Sequence, residues 1–327
     1  MVFTHSAFLY DGDATYASTL SGFVRDGLER GEAVAVAAPP SRLGLLRDTL
    51  ADDAKAVRFL PADEWYVRPV RTIAGWASIL RSAAEDGRPY TRLIGEIPYA
   101  DRPDSWVRFE AALNRSLAEL HGHLLCPYDR SHLPTAVLAA AGRTHPRLHD
   151  GDWRDSAGYE SPEQVLTLTR EPPWPVSGDP LVALPIAETV AELRAAVRRR
   201  AADEGWLPAD RAELLALAVS ELATNGIRHG GERRELRIWV LSDAVVGEIV
   251  DDGPGSPQPL AGYLLPDPTT VGGMGLWLIQ QLCDSLSIHR DDGFTYARFA
   301  VRRTAPTASS PAPAWTAALP GTPSTRP

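Results

Sequence analysis

Glu221, Asn225 and His229 stand four residues apart in the stretch SELATNGIRHG, Ser220 to Gly230, inside an otherwise apolar helical run. A step of four turns an α-helix by only about 40°, so a carboxylate, an amide and an imidazole share one stripe. Leu215, Val219, Leu222, Ala223 and Ile227 then cover the opposite side. Alone, such a stripe describes the solvated face of an amphipathic helix. Two further motifs follow it. In EIVDDGPGSP, Asp251 ends a strand and can accept from an exocyclic amine. Gly253 and Gly255 flank a proline there, in a turn tight enough for backbone to lie against a flat ligand. In VGGMGLWLIQQLCD, Gly273 and Gly275 run into a helix whose N–H groups and positive dipole end suit a phosphate. Taken singly, the second motif also reads as a hairpin turn and the third as a glycine-rich connection.

The elements that must hold these motifs form the second of two halves. Up to about Thr144, strand patterns HSAFLY, EAVAVAAP, VRFLPA, TRLIGEIP and GHLLCPYD alternate with helical patterns over 14–30, 41–50, 70–86 and 104–120. That alternation predicts a parallel sheet with helices on both faces. EPPWPVSGDP, Glu171 to Pro180, holds four prolines, stops both kinds of element and reads as a linker. After it come a strand (LVALPI), helices over 188–202 and 210–229, strands RELRIWVLSD and VVGEIVDD, a helix over 275–283, and strands SLSIHR and FTYARFAVRR. Short turns between consecutive strands predict antiparallel pairing and a two-layer α+β domain. The tail from Thr304, rich in Pro, Ala, Ser and Thr, is too poor in apolar bulk to fold alone. The expected division is 1–170, a linker at 171–180, 181–303, and a disordered tail at 304–327.

A chain of 327 residues with 44% hydrophobic content can fill two cores. Its 33 basic and 42 acidic residues leave a charge of −9, which gives no general drive toward nucleic acid or anionic lipid and points to proteins and small molecules as partners. Cys126 and Cys283 form neither a disulfide framework nor a metal-ligand spacing. With no signal-like start and no apolar run of bilayer length, the expected setting is the cytoplasm, away from membranes.

The order of the motifs carries more than any one of them: a polar helix stripe, Asp-x-Gly-x-Gly after a strand, a glycine turn opening a helix, then GFTY before the last strand. Over roughly Leu181 to Arg303 this resembles the GHKL (Bergerat-type) ATP-binding fold of histidine kinases, Hsp90, gyrase and MutL, and in compact form the RsbW-type anti-sigma factor serine/threonine kinases of bacteria. The resemblance implies ATP and Mg²⁺ as cofactors. It implies that Asn225 ligates Mg²⁺, Glu221 is the catalytic general base, and Asp251 accepts the adenine amine. It further implies that Gly253 and Gly255 shape the base pocket, Gly273 and Gly275 let the loop fold over the phosphates, and Thr295 contacts the base region through water. His229 stays open between a place beside the metal and a helix-end histidine complementing the dipole. The lid, 256–272, contains no Lys or Arg to stabilise a transferring phosphoryl group, and Arg228 is the candidate to supply that charge. Implied partners are a sigma factor or an anti-anti-sigma protein, and a homodimer is compatible with the sequence. The rival readings are a nucleotide-dependent binding module without catalysis and a histidine kinase; ETVAELRAAVRRRAADEG carries no phospho-acceptor histidine for the latter.

The first half lacks GxxxxGK[ST]. HSAFLYDGD and LLCPYD resemble the MEDS (DcmR-like) sensory domain, a RecA-like module of methanogen and methylotroph regulators, over about His5 to Leu168. His5, Cys126 and Asp129 are the sensing candidates for a small-molecule ligand, since imidazole and thiol bind metals or react with electrophiles. Glu96 and Tyr128 come behind them. A buried strand cysteine and a hydrogen-bonded strand-start histidine are the plain structural alternative.

Overall fold

The computed structural model describes residues 2–99, 103–186, 189–255, 258–266 and 274–304. Its first half runs β1 (Thr4–Tyr10), α1 (Gly12–Glu29), β2 (Ala33–Ala38), α2 (Pro40–Leu50), β3 (Arg58–Pro61), α3 (Ala62–Trp65), α4 (Pro69–Glu85), β4 (Thr91–Gly95), α5 (Pro103–Ser116) and β5 (Gly122–Asp129). Then follow α6 (Thr135–Thr144), the hairpin β6 (Arg147–Asp150) and β7 (Asp152–Asp155), and α7 (Pro162–Leu168). The seven strands order as β3-β2-β4-β5-β1-β6-β7, all parallel except the β6–β7 pair.

Two-residue periodicity sorts this sheet into two packed faces. Phe8, Val36, Ile94 and Leu125 pack with the apolar sides of α1 and α2. Their neighbours Ala7, Ala37, Leu93, Leu124 and Cys126 pack with α4, α5 and α6. The expected parallel sheet with helices on both faces is therefore present, and the antiparallel edge hairpin is an addition to it. The helix expected over 104–120 stops at Ser116. There Leu120 N–H bonds back three residues to Leu117 O, a turn that redirects the chain into β5.

The second half comprises β8 (Val182–Pro185), α8 (Val190–Asp203), α9 (Ala209–His229), β9 (Arg234–Val240), β10 (Ala244–Asp251), α10 (Met274–Leu282), β11 (Ser285–Asp291) and β12 (Phe294–Arg302). Its five strands form an antiparallel sheet, β11-β12-β10-β9-β8. Leu236, Ile238, Val245, Ile249 and Phe299 face α8, α9 and α10 and make the core. The start of the helix expected from Glu188 and the tail from 305 lie outside the described residues.

The proline-rich segment expected as a linker is bonded down on its neighbours. Trp174 and Val176 pack on Trp239, Val246 and Ala300, the outer face of the antiparallel sheet. Trp174 O accepts from Arg298 at 3.3 Å, and Gly178 O from Trp239 Nε1 at 3.1 Å. Glu171 bridges the halves: its carboxylate accepts from Ser105 at 2.7 Å and its carbonyl from Ser287 at 2.8 Å. Prolines have no N–H to donate to a sheet, and side chains of the sheet meet the carbonyls of Glu171, Trp174 and Gly178.

The halves also meet directly. Leu260, Tyr263 and Trp277 of the second half complete the same apolar cluster as Trp106, Phe109 and Leu113 of α5. Arg68, just ahead of α4, donates to Gln281 O at 3.0 Å and Leu282 O at 2.8 Å, and to Asp284 Oδ1 at 2.6 Å. A guanidinium there caps the negative end of α10. Arg211 of α9 holds the other oxygen of Asp284 at 2.7 Å.

Candidate functional site

Between α9, the start of α10 and the end of β10 lies a cavity of about 1120 Å³. It takes shape because α9 is amphipathic. Leu215, Val219, Leu222 and Ala223 are buried against the sheet, which turns Glu221 and Asn225 to the cavity wall. Pro208 stands at the helix N-cap and Gly230 ends it, with Arg228 and His229 in the last turn as the dipole favours. Both side chains are exposed and stand at the rim.

Asp251, 8% exposed, closes the opposite wall at the end of β10 and pairs in register with Thr295 of β12. Burial pushes its carboxyl above the usual range, opposed by the Gly253 N–H that donates to Oδ1 at 2.9 Å. Thr295 donates to Gly253 O at 3.2 Å. The turn tolerates only glycine at two places. A Cβ on Gly253 would lie 2.4 Å from Gly230 Cα, and Gly255 sits at φ +76° beside Thr295. The missing side chains leave backbone as cavity wall, as a flat ligand requires. On the α10 side, a Cβ on Gly275 would lie 2.5 Å from Glu221 Oε2. Glu221, Asn225, Asp251, Gly255, Gly275 and Thr295 thus line one cavity, with Gly253 bonded beneath it. Gly273 and lid residues 256–257 and 267–272 fall outside the described residues. The described lid residues Leu260, Leu264 and Leu265 make its far wall apolar.

In the first half, His5 and Cys126, from neighbouring strands, come together with Nε2 and Sγ 3.4 Å apart. Two residues that sequence reasoning missed join them: Glu110 of α5 and His145, just past α6. Tyr128 donates to the Glu110 carboxylate. All four are buried, at 2%, 1%, 3% and 0% exposure for His5, Glu110, Cys126 and His145, so no solvent moderates their charges. Burial holds the His5 imidazole well below its usual range and His145 down at about 3, lifts Glu110 to about 7 and pushes the Cys126 thiol up. Glu110 had one visible signal: it falls on the apolar stripe of α5 with Trp106, Leu113 and Leu117. His145 had none.

Asp129 is placed elsewhere. At the C-terminal end of the parallel sheet it accepts from Arg42 at 2.9 Å and from Ser131 and His132. Arg42 also meets Asp13 and, at 3.8 Å, Glu96. Burial, outweighing Arg42, lifts Glu96 to about 7.

Comparison with known proteins finds one match in each half. Residues 4–146 match the family model described as MEDS: MEthanogen/methylotroph, DcmR Sensory domain. Residues 185–300 match that of the Histidine kinase-like ATPase domain. No curated protein matches. Among solved structures, the catalytic domain of histidine kinase ThkA, in a nucleotide-free form, is similar at 13% identity and a TM-score of 0.25, over 37% of this chain and 96% of that one. The chain is therefore similar to the MEDS sensory domain over 4–146 and to the histidine kinase-like ATPase domain over 185–300, and the cavity lies in the second of these regions.

Proposed function

We propose that this protein is a cytoplasmic regulator that binds Mg-ATP in the cavity between α9, α10 and the Asp251–Gly255 turn. It acts as an anti-sigma factor of the serine/threonine kinase type, under control of the MEDS domain. One observation carries the nucleotide reading: a carboxylate and an amide on one helix face a buried aspartate across a cavity floored by glycine backbone. Its volume, about 1120 Å³, accommodates a nucleotide. In this reading Asp251 accepts from the adenine amine, Thr295 supports the base region through water, and Gly253, Gly255, Gly273 and Gly275 give backbone to base and phosphates. Asn225 would hold Mg²⁺, which when bound neutralises phosphate charge. Glu221 would take the proton of a Ser or Thr hydroxyl on an anti-anti-sigma protein. The boundaries 1–170, 171–180, 181–303 and 304–327 belong to the same reading.

A second reading is favoured by the absence of Lys and Arg from 256–272. The domain would then hold a sigma factor in a nucleotide-dependent way without phosphoryl transfer. Arg228, at the cavity rim, is the cation the kinase reading needs. Incubation with γ-labelled ATP and the antagonist protein separates the two. Label on the partner that is lost in Glu221→Gln supports the kinase; ATP bound with no label transferred supports the binding module; acid-labile label on the protein itself would mark a histidine kinase. Failure of Mg-ATP to bind the wild type sinks the nucleotide reading.

A further inference from the structure

His5, Glu110, Cys126 and His145 bring one donor atom each to within 4.8 Å of one another, inside the MEDS domain and away from the nucleotide cavity. Two donor pairs, His5 Nε2 to Cys126 Sγ at 3.4 Å and His145 Nε2 to Glu110 Oε1 at 3.7 Å, already match the edges of a tetrahedron. Bonds of 2.0–2.3 Å to a central ion would give edges of roughly 3.3–3.8 Å.

The surrounding hydrogen bonds decide which atoms are free to bind. Asn114 Nδ2 donates to Thr144 O at 2.7 Å, which fixes its amide and leaves Oδ1 as an acceptor for His5 Nδ1 at 3.2 Å. His5 therefore carries its proton on Nδ1 and presents a bare Nε2 lone pair. His145 Nδ1 lies 2.9 Å from Ala141 O, which can only accept, so its Nε2 is bare as well. That Nε2 is fully buried and has no hydrogen-bond partner, facing the Glu110 carboxylate. Leaving such an atom unpaired is costly unless something occupies the space. Imidazoles oriented through Nδ1 by a carbonyl or amide, with Nε2 converging, are how proteins prepare histidines for metals.

We propose that these four side chains bind one divalent transition-metal ion, with zinc the best match. Two imidazoles, a thiolate and a carboxylate form a mixed donor set of borderline softness, which favours zinc over magnesium or calcium. Cys126 loses its proton on binding and the ion takes its place. The charges of thiolate and carboxylate then cancel the dication, so the buried set carries none. The ligands come from β1, α5, β5 and the end of α6, and one ion would tie the sheet to two of its covering helices.

The test uses the full chain, stripped with EDTA, then given zinc or cobalt(II) and freed of excess by gel filtration. The expected result is about one equivalent of retained zinc and a rise in melting temperature, as a site formed only in the native state requires. Cobalt should give intense tetrahedral d–d bands and a sulfur-to-cobalt charge-transfer band, the latter lost in Cys126→Ala. Asn114→Ala, which touches no metal, should weaken cobalt binding by about 10- to 100-fold by releasing His5. Near-UV circular dichroism checks that each variant folds. If the wild type retains neither metal, or a folded Cys126→Ala keeps the wild-type cobalt spectrum, the proposal fails. The wild-type measurement decides even where a variant does not fold, and neither outcome depends on nucleotide binding.

Discussion

At the scale of single residues, two carboxyls in different walls invite opposite experiments. Asp251 offers one oxygen to Gly253 N–H and lines the proposed nucleotide cavity with its carboxyl group. Asp251→Asn keeps an acceptor for that N–H but sets a donor against the adenine amine. Mg-ATP binding followed by calorimetry should weaken by about 10- to 100-fold, the loss of one buried polar contact of roughly 1.4–3 kcal/mol. Glu96 reports on pH instead. It is faced by Tyr10, Tyr16, Arg42 and Asp129, and its folded-state value of about 7 stands above the ordinary 4.5. The native state therefore holds this proton over a range where the unfolded chain has released it. Its stabilising effect is complete below the unfolded value and is lost as pH rises through the folded one. Between pH 4.5 and 7 the wild type should lose about 3 kcal/mol relative to Glu96→Gln, as read from urea midpoints at each pH.

At the scale of elements, five strands and the four longest helices of the first half, with the elements of the second, were legible because their apolar periods of 2 and 3.6 are long. The short α3, α6 and α7 were not. Thr4–Tyr10, Gly122–Asp129 and Ala209–His229 all fall where the patterns place them. The short hairpin Arg147–Asp155 was not, since four-residue strands, one of them wholly exposed, carry no period to read. That the candidate residues Glu221, Asn225, Asp251, Gly255, Gly275 and Thr295 share one cavity was legible for a related reason: they sit within four compact motifs. Of the buried quartet only His5 and Cys126 were legible, because Glu110 and His145 meet them only through the stacking of α5 and α6 on the sheet. One close contact offers a test of the second core. A Cβ at Gly247 would lie 2.4 Å from Phe299 Cζ, in the middle of β10. Gly247→Ala must push that ring aside, and thermal unfolding should reveal a loss of about 1–3 kcal/mol.

At the scale of the whole molecule, the two halves are coupled by packing as well as by covalent connection. Arg108 of α5 donates to Tyr263 Oη at 3.1 Å, and Ser116 to Tyr263 O at 3.0 Å, so the helix that carries Glu110 also grips the middle of the 256–272 segment. Arg68 joins α4 to the end of α10 through Asp284, and both partners are largely buried. Arg68→Ala leaves Asp284 to Arg211 and the Arg302 N–H, and uncaps α10. A loss of about 3 kcal/mol is expected, with calorimetry resolving one unfolding transition into two as the halves separate. The proline strap from Glu171 to Gly178 has a consequence of another kind. A protease must draw some ten residues of extended chain into its cleft, and this stretch cannot be lifted without stripping Trp174 from the sheet and breaking its bonds to Arg298 and Trp239. Limited digestion should leave 171–180 intact, while Trp174→Ala should open it to cutting. In such a digest the boundary between the domains would behave as interior.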